Sequence, residues 1–329
     1  MKIAIVKLSA MGDIIHAMVA LQFIKQAKLE IQIDWIVEQA FAQVLKNNPH
    51  IDNILPINLK SIKENKMALF SEIKRVKSYA KNNYDLVIDA QGLLKSAITS
   101  KLLGKKVVGF SKDSIREGIA SHFYSQTIDI AYEENAIERN VKILGESLNL
   151  NITQENILNK QPFLHFETSK DLPITIDNYI LLIVGASVEN KIYPKEKFLE
   201  VTRNINEKIV VIWANDYEKE VAQYLEKEAS NVLVSPKLNL DELKRIIAES
   251  KLVIGGDTGP THMAWALNVP SITIFGNTPE YRNTYLTAIN KVVKSDTYVN
   301  PLKLDKNDFS IRDIQPHSIV NLAKELLNA

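Results

Sequence analysis

The chain contains no cysteine. That excludes disulfides, thiolate metal sites, iron–sulfur clusters and a cysteine nucleophile, and it fits a reducing compartment. No apolar run approaches the roughly 18 residues of a membrane-spanning helix. The apolar stretch in MKIAIVKLSAMGD is too short and too β-like for a signal peptide, and no small-residue cleavage site closes it. A cytoplasmic location is expected. An excess of one charge is missing too: 40 Lys and Arg against 39 Asp and Glu leave a formal net charge of +1. A general nucleic-acid binder is not indicated. Arginine is scarce, seven of the 40 basic residues, so each Arg is an individual recognition candidate through its bidentate fork. No two Asp stand in D-x-D spacing, the metal clamp of one large class of nucleotide-sugar enzymes. There is no G-x-x-x-x-G-K-[ST] and no H-E-x-x-H. Six scattered His do not suggest a zinc site.

What is present is an ordinary globular composition, 46% apolar and 24% charged over 329 residues. Length alone suggests two domains with room for two cores. Strands are expected at 2–8, 32–37, 53–58, 86–89 and 106–109, with helices at 14–28, 39–46, 67–82, 93–103 and 135–149. After a polar stretch over 150–177, taken as the linker, the alternation restarts. Strands are expected at 179–184, 209–213, 231–234, 252–255 and 271–275. Helices are expected at 194–205, 217–228, 240–249, 260–267 and 317–327. Alternation of this kind indicates a parallel, doubly wound sheet in each half. The reading is α/β: two Rossmann-like domains over 1–165 and 166–329, the closing helix being able to pack back on the first. Ligands of open α/β sheets sit at the carboxyl ends of strands, so the chemistry is expected in strand-to-helix turns facing a cleft between the domains.

Four such turns carry polar residues. Ser9-Ala10-Met11-Gly12-Asp13 has one glycine and is not the dinucleotide fingerprint. Asp13 sits where an N-cap belongs, which is also where a general base would be held rigidly. His16, one turn on, reads as a structural histidine. Gly255-Gly256-Asp257-Thr258-Gly259-Pro260-Thr261-His262 combines close-approach glycines with a helix start that suits a phosphate. Gly185 to Lys191 offers Ser187 and Lys191 for further phosphate oxygens; the alternative is an exposed loop with an ordinary lysine. Asp89 to Ser96 brings Gln91 and Lys95, a weakly specific pair.

In combination, VKLSAMGDIIHAM, IDAQGLLKSA and GGDTGPTHMAWAL followed by PSITIFG resemble the lipopolysaccharide heptosyltransferases, most closely their type I branch. DWIVEQAFAQV, IREGIASHFY and NAIERN extend the resemblance over almost the whole chain. The resemblance implies the GT-B architecture with its active site in the inter-domain cleft. It implies inverting, metal-independent transfer of L-glycero-D-manno-heptose from ADP-heptose to the Kdo of Kdo-lipid A, with no cofactor. Asp13 matches the catalytic base. Ser187 and Lys191 match donor-phosphate contacts, and Glu218 matches the ribose carboxylate. Asp257, Thr258, Gly259 and His262 match the nucleotide-sugar loop. Lys7, Arg116 and Arg139 match basic positions meeting the anionic acceptor. Lys60 and Lys63 stand where the family often has an Arg-rich acceptor loop, and Ala186-Ser187 replaces two adjacent hydroxyl residues. The implied partners are ADP-heptose and Kdo-lipid A at the cytoplasmic face of the inner membrane, with no nucleic acid. Alternatives are a type II heptosyltransferase, another GT-B nucleotide-sugar enzyme such as a sugar-nucleotide epimerase, or a noncatalytic nucleotide-sugar-binding protein.

Overall fold

Apolar runs such as KIAIV and YILLI are buried on both faces, as strands of parallel sheets must be when helices cover each side. In the computed structural model, which describes residues 1–169 and 171–328 apart from the side chains of Lys63 and Glu64, they build two separate units, Met1–Phe163 and Leu164–Ala329.

The first unit runs β1 (Lys2–Val6), α1 (Met11–Ala27), β2 (Gln32–Glu38), β3 (Asn53–Ile57), α2 (Ser61–Glu64), α3 (Ala68–Tyr79), β4 (Leu86–Asp89), α4 (Leu94–Leu103), β5 (Val107–Phe110), β6 (Gln126–Ile128), α5 (Ala136–Glu146) and α6 (Gln154–Leu158). Its six parallel strands lie in the order β3-β2-β1-β4-β5-β6. α1 is apolar nearly all round, with Ile14 to Leu21 buried without a break, and α5 and the segment Gln39–Leu45 both pack on it.

The second unit repeats the plan with β7 (Tyr179–Ile183), α7 (Lys195–Arg203), β8 (Lys208–Ile212), α8 (Asp216–Glu228), β9 (Val232–Val234), α9 (Leu240–Ala248), β10 (Leu252–Gly256), α10 (Gly259–Ala266), β11 (Ser271–Phe275), α11 (Glu280–Asn283), β12 (Asn290–Lys294) and α12 (Pro316–Leu327). Its strand order is β12-β11-β10-β7-β8-β9, the same topology as the first. In each unit the chain reverses its strand order between the first and fourth strands: β1 and β4, then β7 and β10. A crevice at the carboxyl ends of such a pair is where this architecture binds ligands.

Two expectations are corrected. The segment after β2 is a 3₁₀ stretch, Gln39–Leu45, not an α-helix. Strands β6 and β12 were not expected: both are short, polar edge strands, and burial of one face is too weak there to leave an alternation. The closing helix α12 packs on α7 and on β10, β11 and β12; its stripe of Ile319, Val320 and Ala323 belongs to the core of its own unit.

Candidate active site

The first unit presents Asp13 at the β1/β4 switch point. Helix α1 begins at Met11, with Ala10 as N-cap. Asp13 is therefore the third helical residue, not the N-cap, and its Oδ2 accepts the Ala10 N–H at 3.1 Å. A carboxylate in a first turn is favoured by the helix dipole.

The turn before it is held from β4. Gln91 Oε1 accepts the N–H groups of Leu8 at 2.9 Å and Ser9 at 3.0 Å. Gln91 is fixed in turn by Asp89, whose Oδ1 accepts the N–H groups of Gln91 and Gly92 at 2.9 and 3.1 Å. The Tyr124 hydroxyl donates to Asp89 Oδ2 at 2.9 Å. Gly92 has φ +70°, and a Cβ there would stand 2.6 Å from Ile115 Cγ2, so glycine is required by both backbone and space. Burial pushes the Asp89 carboxyl up, while the two backbone N–H groups and Tyr124 oppose that shift.

The basic residues of the first unit serve different ends. Lys7 is buried and donates to the Ala90 carbonyl at 2.8 Å, tying β1 to the turn after β4. Arg139 is buried on α5. Its guanidinium donates to the carbonyls of Ile130 at 2.9 Å, Ser114 at 2.6 Å and also Ala131. Arg116 is exposed, 5.2 Å from the Tyr132 ring centroid, and Arg139 stands 5.3 Å from the same centroid. Arg139 thus props the segment that presents Arg116. Exposed Lys60 sits 5.3 Å from the Phe41 ring centroid, its N–H donating to buried Glu38 at 3.0 Å. The Lys63 side chain lies outside the described residues. His16 is buried within α1, as a structural histidine would be.

The second unit gathers its residues at the β7/β10 switch point. Asp257, just after β10, is the hub. Its Oδ2 receives the Lys191 ammonium at 2.7 Å, the Thr278 hydroxyl at 2.8 Å and Asn283 Nδ2 at 3.2 Å. His262 Nε2 lies 3.0 Å from Oδ1. Burial disfavours the charged carboxylate, but the Lys191 ammonium and His262 outweigh it and hold Asp257 well below the usual carboxylate range. Thr258 caps α10 by position only. Its side chain makes no cap hydrogen bond and instead lies 3.2 Å from the Thr261 hydroxyl. In the first turn of α10 the Gly259 and Thr261 N–H groups have no intrahelical carbonyl to meet, and Pro260 between them has no N–H. Such an end receives an anion.

Glu218 is the third residue of α8. It accepts the Ala214 N–H at 2.7 Å and Asn215 Nδ2 at 2.8 Å. A Cβ on Gly185 would stand 2.0 Å from Glu218 Oε1, so glycine is what lets this carboxylate sit beside the end of β7. Ser187 is exposed on the same turn. The structure therefore brings together Lys191, Asp257 and His262, and places Glu218 against Gly185. Gln91, Thr278 and Asn283 were missed as supporting residues. Gln91 stood out only as a polar residue in a strand-to-helix turn, and nothing local marked the other two.

Two repeated doubly wound α/β units, with an open helix end and a lysine–carboxylate pair at one switch point, have the architecture of solved glycosyltransferases. The model of glycosyltransferase family 9 (heptosyltransferase) matches residues 73–309. The chain is 39% identical to lipopolysaccharide heptosyltransferase 1 of Campylobacter coli, over 99% of both chains. It is 32% identical to lipopolysaccharide heptosyltransferase 1 of Escherichia coli K12, over 84% of this chain and 88% of that one. The solved E. coli heptosyltransferase WaaC with ADP-2-deoxy-2-fluoro heptose superposes with a TM-score of 0.80 at 27% identity, covering 100% of both chains. The chain belongs to glycosyltransferase family 9, the heptosyltransferases, and it is an enzyme of that class.

Proposed function

We propose that this enzyme transfers L-glycero-D-manno-heptose from ADP-heptose to the Kdo of Kdo-lipid A, with inversion and without a metal ion. The observation that carries the reading is the Lys191–Asp257–His262 cluster beside the open first turn of α10, in a chain related over its whole length to type 1 heptosyltransferases.

The chemistry follows from these groups. Transfer at an anomeric carbon passes through an oxocarbenium-like state. Asp13 takes the proton of the acceptor hydroxyl as the new glycosidic bond forms. The bond to the ADP β-phosphate breaks on the opposite side, and that oxygen leaves as an anion without protonation. Charge grows on the diphosphate, where Lys191, Ser187 and the α10 N–H groups stabilise it. Glu218 is assigned to the ribose hydroxyls. Arg116 and Lys60 meet the anionic acceptor, with Lys63 close to Lys60 in sequence. Lys7 and Arg139 act through the backbone they hold. A lipid-borne acceptor puts the work of the enzyme at the cytoplasmic face of the inner membrane; no helix among the described residues is long and apolar enough to cross that membrane.

The test offers ADP-heptose with Kdo-lipid A and, separately, with its heptosylated product. Product with the first alone is expected. Product only with the second would reassign the enzyme to the type II reaction. Donor consumption without acceptor would remove transfer as its function.

A further inference from the structure

Net positive charge gathers in two stretches, residues 60–81 and residues 90–112. Residues 60–81 hold seven basic and two acidic residues, whereas the whole chain carries only +1; the remainder is net acidic. Of the two acids, Glu72 is buried, accepting the Asn58 N–H at 2.8 Å and lying 3.5 Å from Arg75. Lys66, Lys74, Lys77 and Lys81 are exposed. Phe70, Lys74 and Lys77 follow one another at the spacing that lines one helix face.

Beside these lysines stand three large apolar side chains in solvent: Met67 at 70% exposure, Leu69 at 43% and Phe70 at 68%. They are not misplaced core. Helix α3 meets the sheet through Val76, which joins the core of Leu8, Ile36 and Val87. A helix seated through Val76 turns residue 70 outward, while Leu69, seven positions before Val76, lies at the exposed end of the packed side. Neighbouring apolar groups rimmed by cations mark an interaction surface. Apolar insertion and basic attraction are also the two signals that together give reversible binding to a lipid surface.

We infer that the outer face of α3 is where this enzyme rests on an anionic lipid bilayer. Met67 and Phe70 enter the interfacial layer, and Lys66, Lys74, Lys77 and Lys81 meet the anionic headgroups. Charge complementarity selects this occupant: a second copy would bring the same lysines together and repel. The inference rests on the reading that the acceptor is a lipid, since the enzyme must then reach substrate held in a membrane plane.

The experiment is co-sedimentation of the full chain with phosphatidylcholine vesicles, with and without phosphatidylglycerol. Binding is expected only with phosphatidylglycerol and should fade as salt rises. Each lysine near an anionic surface changes binding about fivefold. Lys74→Gln with Lys77→Gln should therefore weaken it roughly 25-fold, and Met67→Ser with Phe70→Ser should also release the enzyme. All four positions are exposed, so melting temperatures should hold. Turnover on detergent-dispersed acceptor should be unchanged, while turnover on vesicle-embedded acceptor falls. Vesicle binding needs no sugar transfer, so its outcome is separate from that of the proposed reaction. Equal binding to neutral vesicles, variants that sediment like the parent, or a solution dimer abolished by the same substitutions would overturn the assignment.

Discussion

The Lys191 ammonium stands 2.7 Å from Asp257 Oδ2 although the residues are 66 positions apart. One follows the first strand of its sheet and the other the fourth, so the switch point itself makes the pair. Thr278 and Asn283 bind the same carboxylate oxygen. Lys191 is thus fixed in position by a carboxylate that is itself fixed by two further donors, and the ammonium is oriented rather than swinging in solvent.

Lys191→Ala is expected to weaken ADP binding and slow transfer together, because the ammonium meets phosphate charge that increases in the transition state. A charge-assisted hydrogen bond of about 1.5–3 kcal/mol corresponds to roughly 10- to 150-fold. Calorimetry with ADP and initial rates with ADP-heptose measure both. Unchanged constants would take Lys191 out of the donor site.

Asp257 makes stability depend on acid. Its folded carboxyl is held below the ordinary range by Lys191 and His262 against burial. The unfolded chain therefore binds its proton first as pH falls. The stabilisation is complete above the ordinary carboxylate value of about 4 and declines below it. Asp257→Asn should flatten that acid limb and should also destabilise at neutral pH by about 3 kcal/mol, the lower end for breaking a buried pair. Denaturant melts between pH 7 and pH 3 would show it, and an unaltered acid limb would count against the hub.

Lys160 acts in the opposite pH range. It is buried at the end of the first unit, and burial pulls its ammonium from 10.5 down to about 7. Between those values the unfolded chain binds more protons, so stability should rise with pH. Lys160→Met should remove that rise. Unfolding measured at neutral and at mildly alkaline pH compares the two slopes; parallel slopes would contradict it.

Asp13 separates a helix-end role from chemistry. Asn can accept the Ala10 N–H as Asp does but takes no proton. Asp13→Asn should lose only about 0.3–1 kcal/mol of charge–dipole stabilisation, while turnover drops about 100- to 10,000-fold. Asp13→Ala should lose the hydrogen bond as well, a further 0.5–1.5 kcal/mol or so. Near-normal rates in Asp13→Asn would show that the carboxylate serves the helix alone.

Metal independence is expected because an ammonium and a helix end can carry the diphosphate charge. Activity should survive excess EDTA. Loss of activity restored by magnesium or manganese would refute it.

The alternation of strands and helices and the four polar turns were legible in the chain itself, since periodicity, Gly and Pro act locally. Glycines at 255 and 256 with Pro260 mark a helix start whatever packs around them. Tertiary structure decided the rest. The edge strands Gln126–Ile128 and Asn290–Lys294 carry only two β-branched residues each, and it is the hydrogen bonds of a neighbouring strand that complete them. Gln91 reaches Leu8 across 83 positions, and Arg139 turns to the carbonyls of Ser114 and Ile130 rather than outward. A hydrogen bond between distant residues leaves no spacing to read. Its partners are chosen by which strands the topology lays side by side, and that choice is made by burial of the whole sheet.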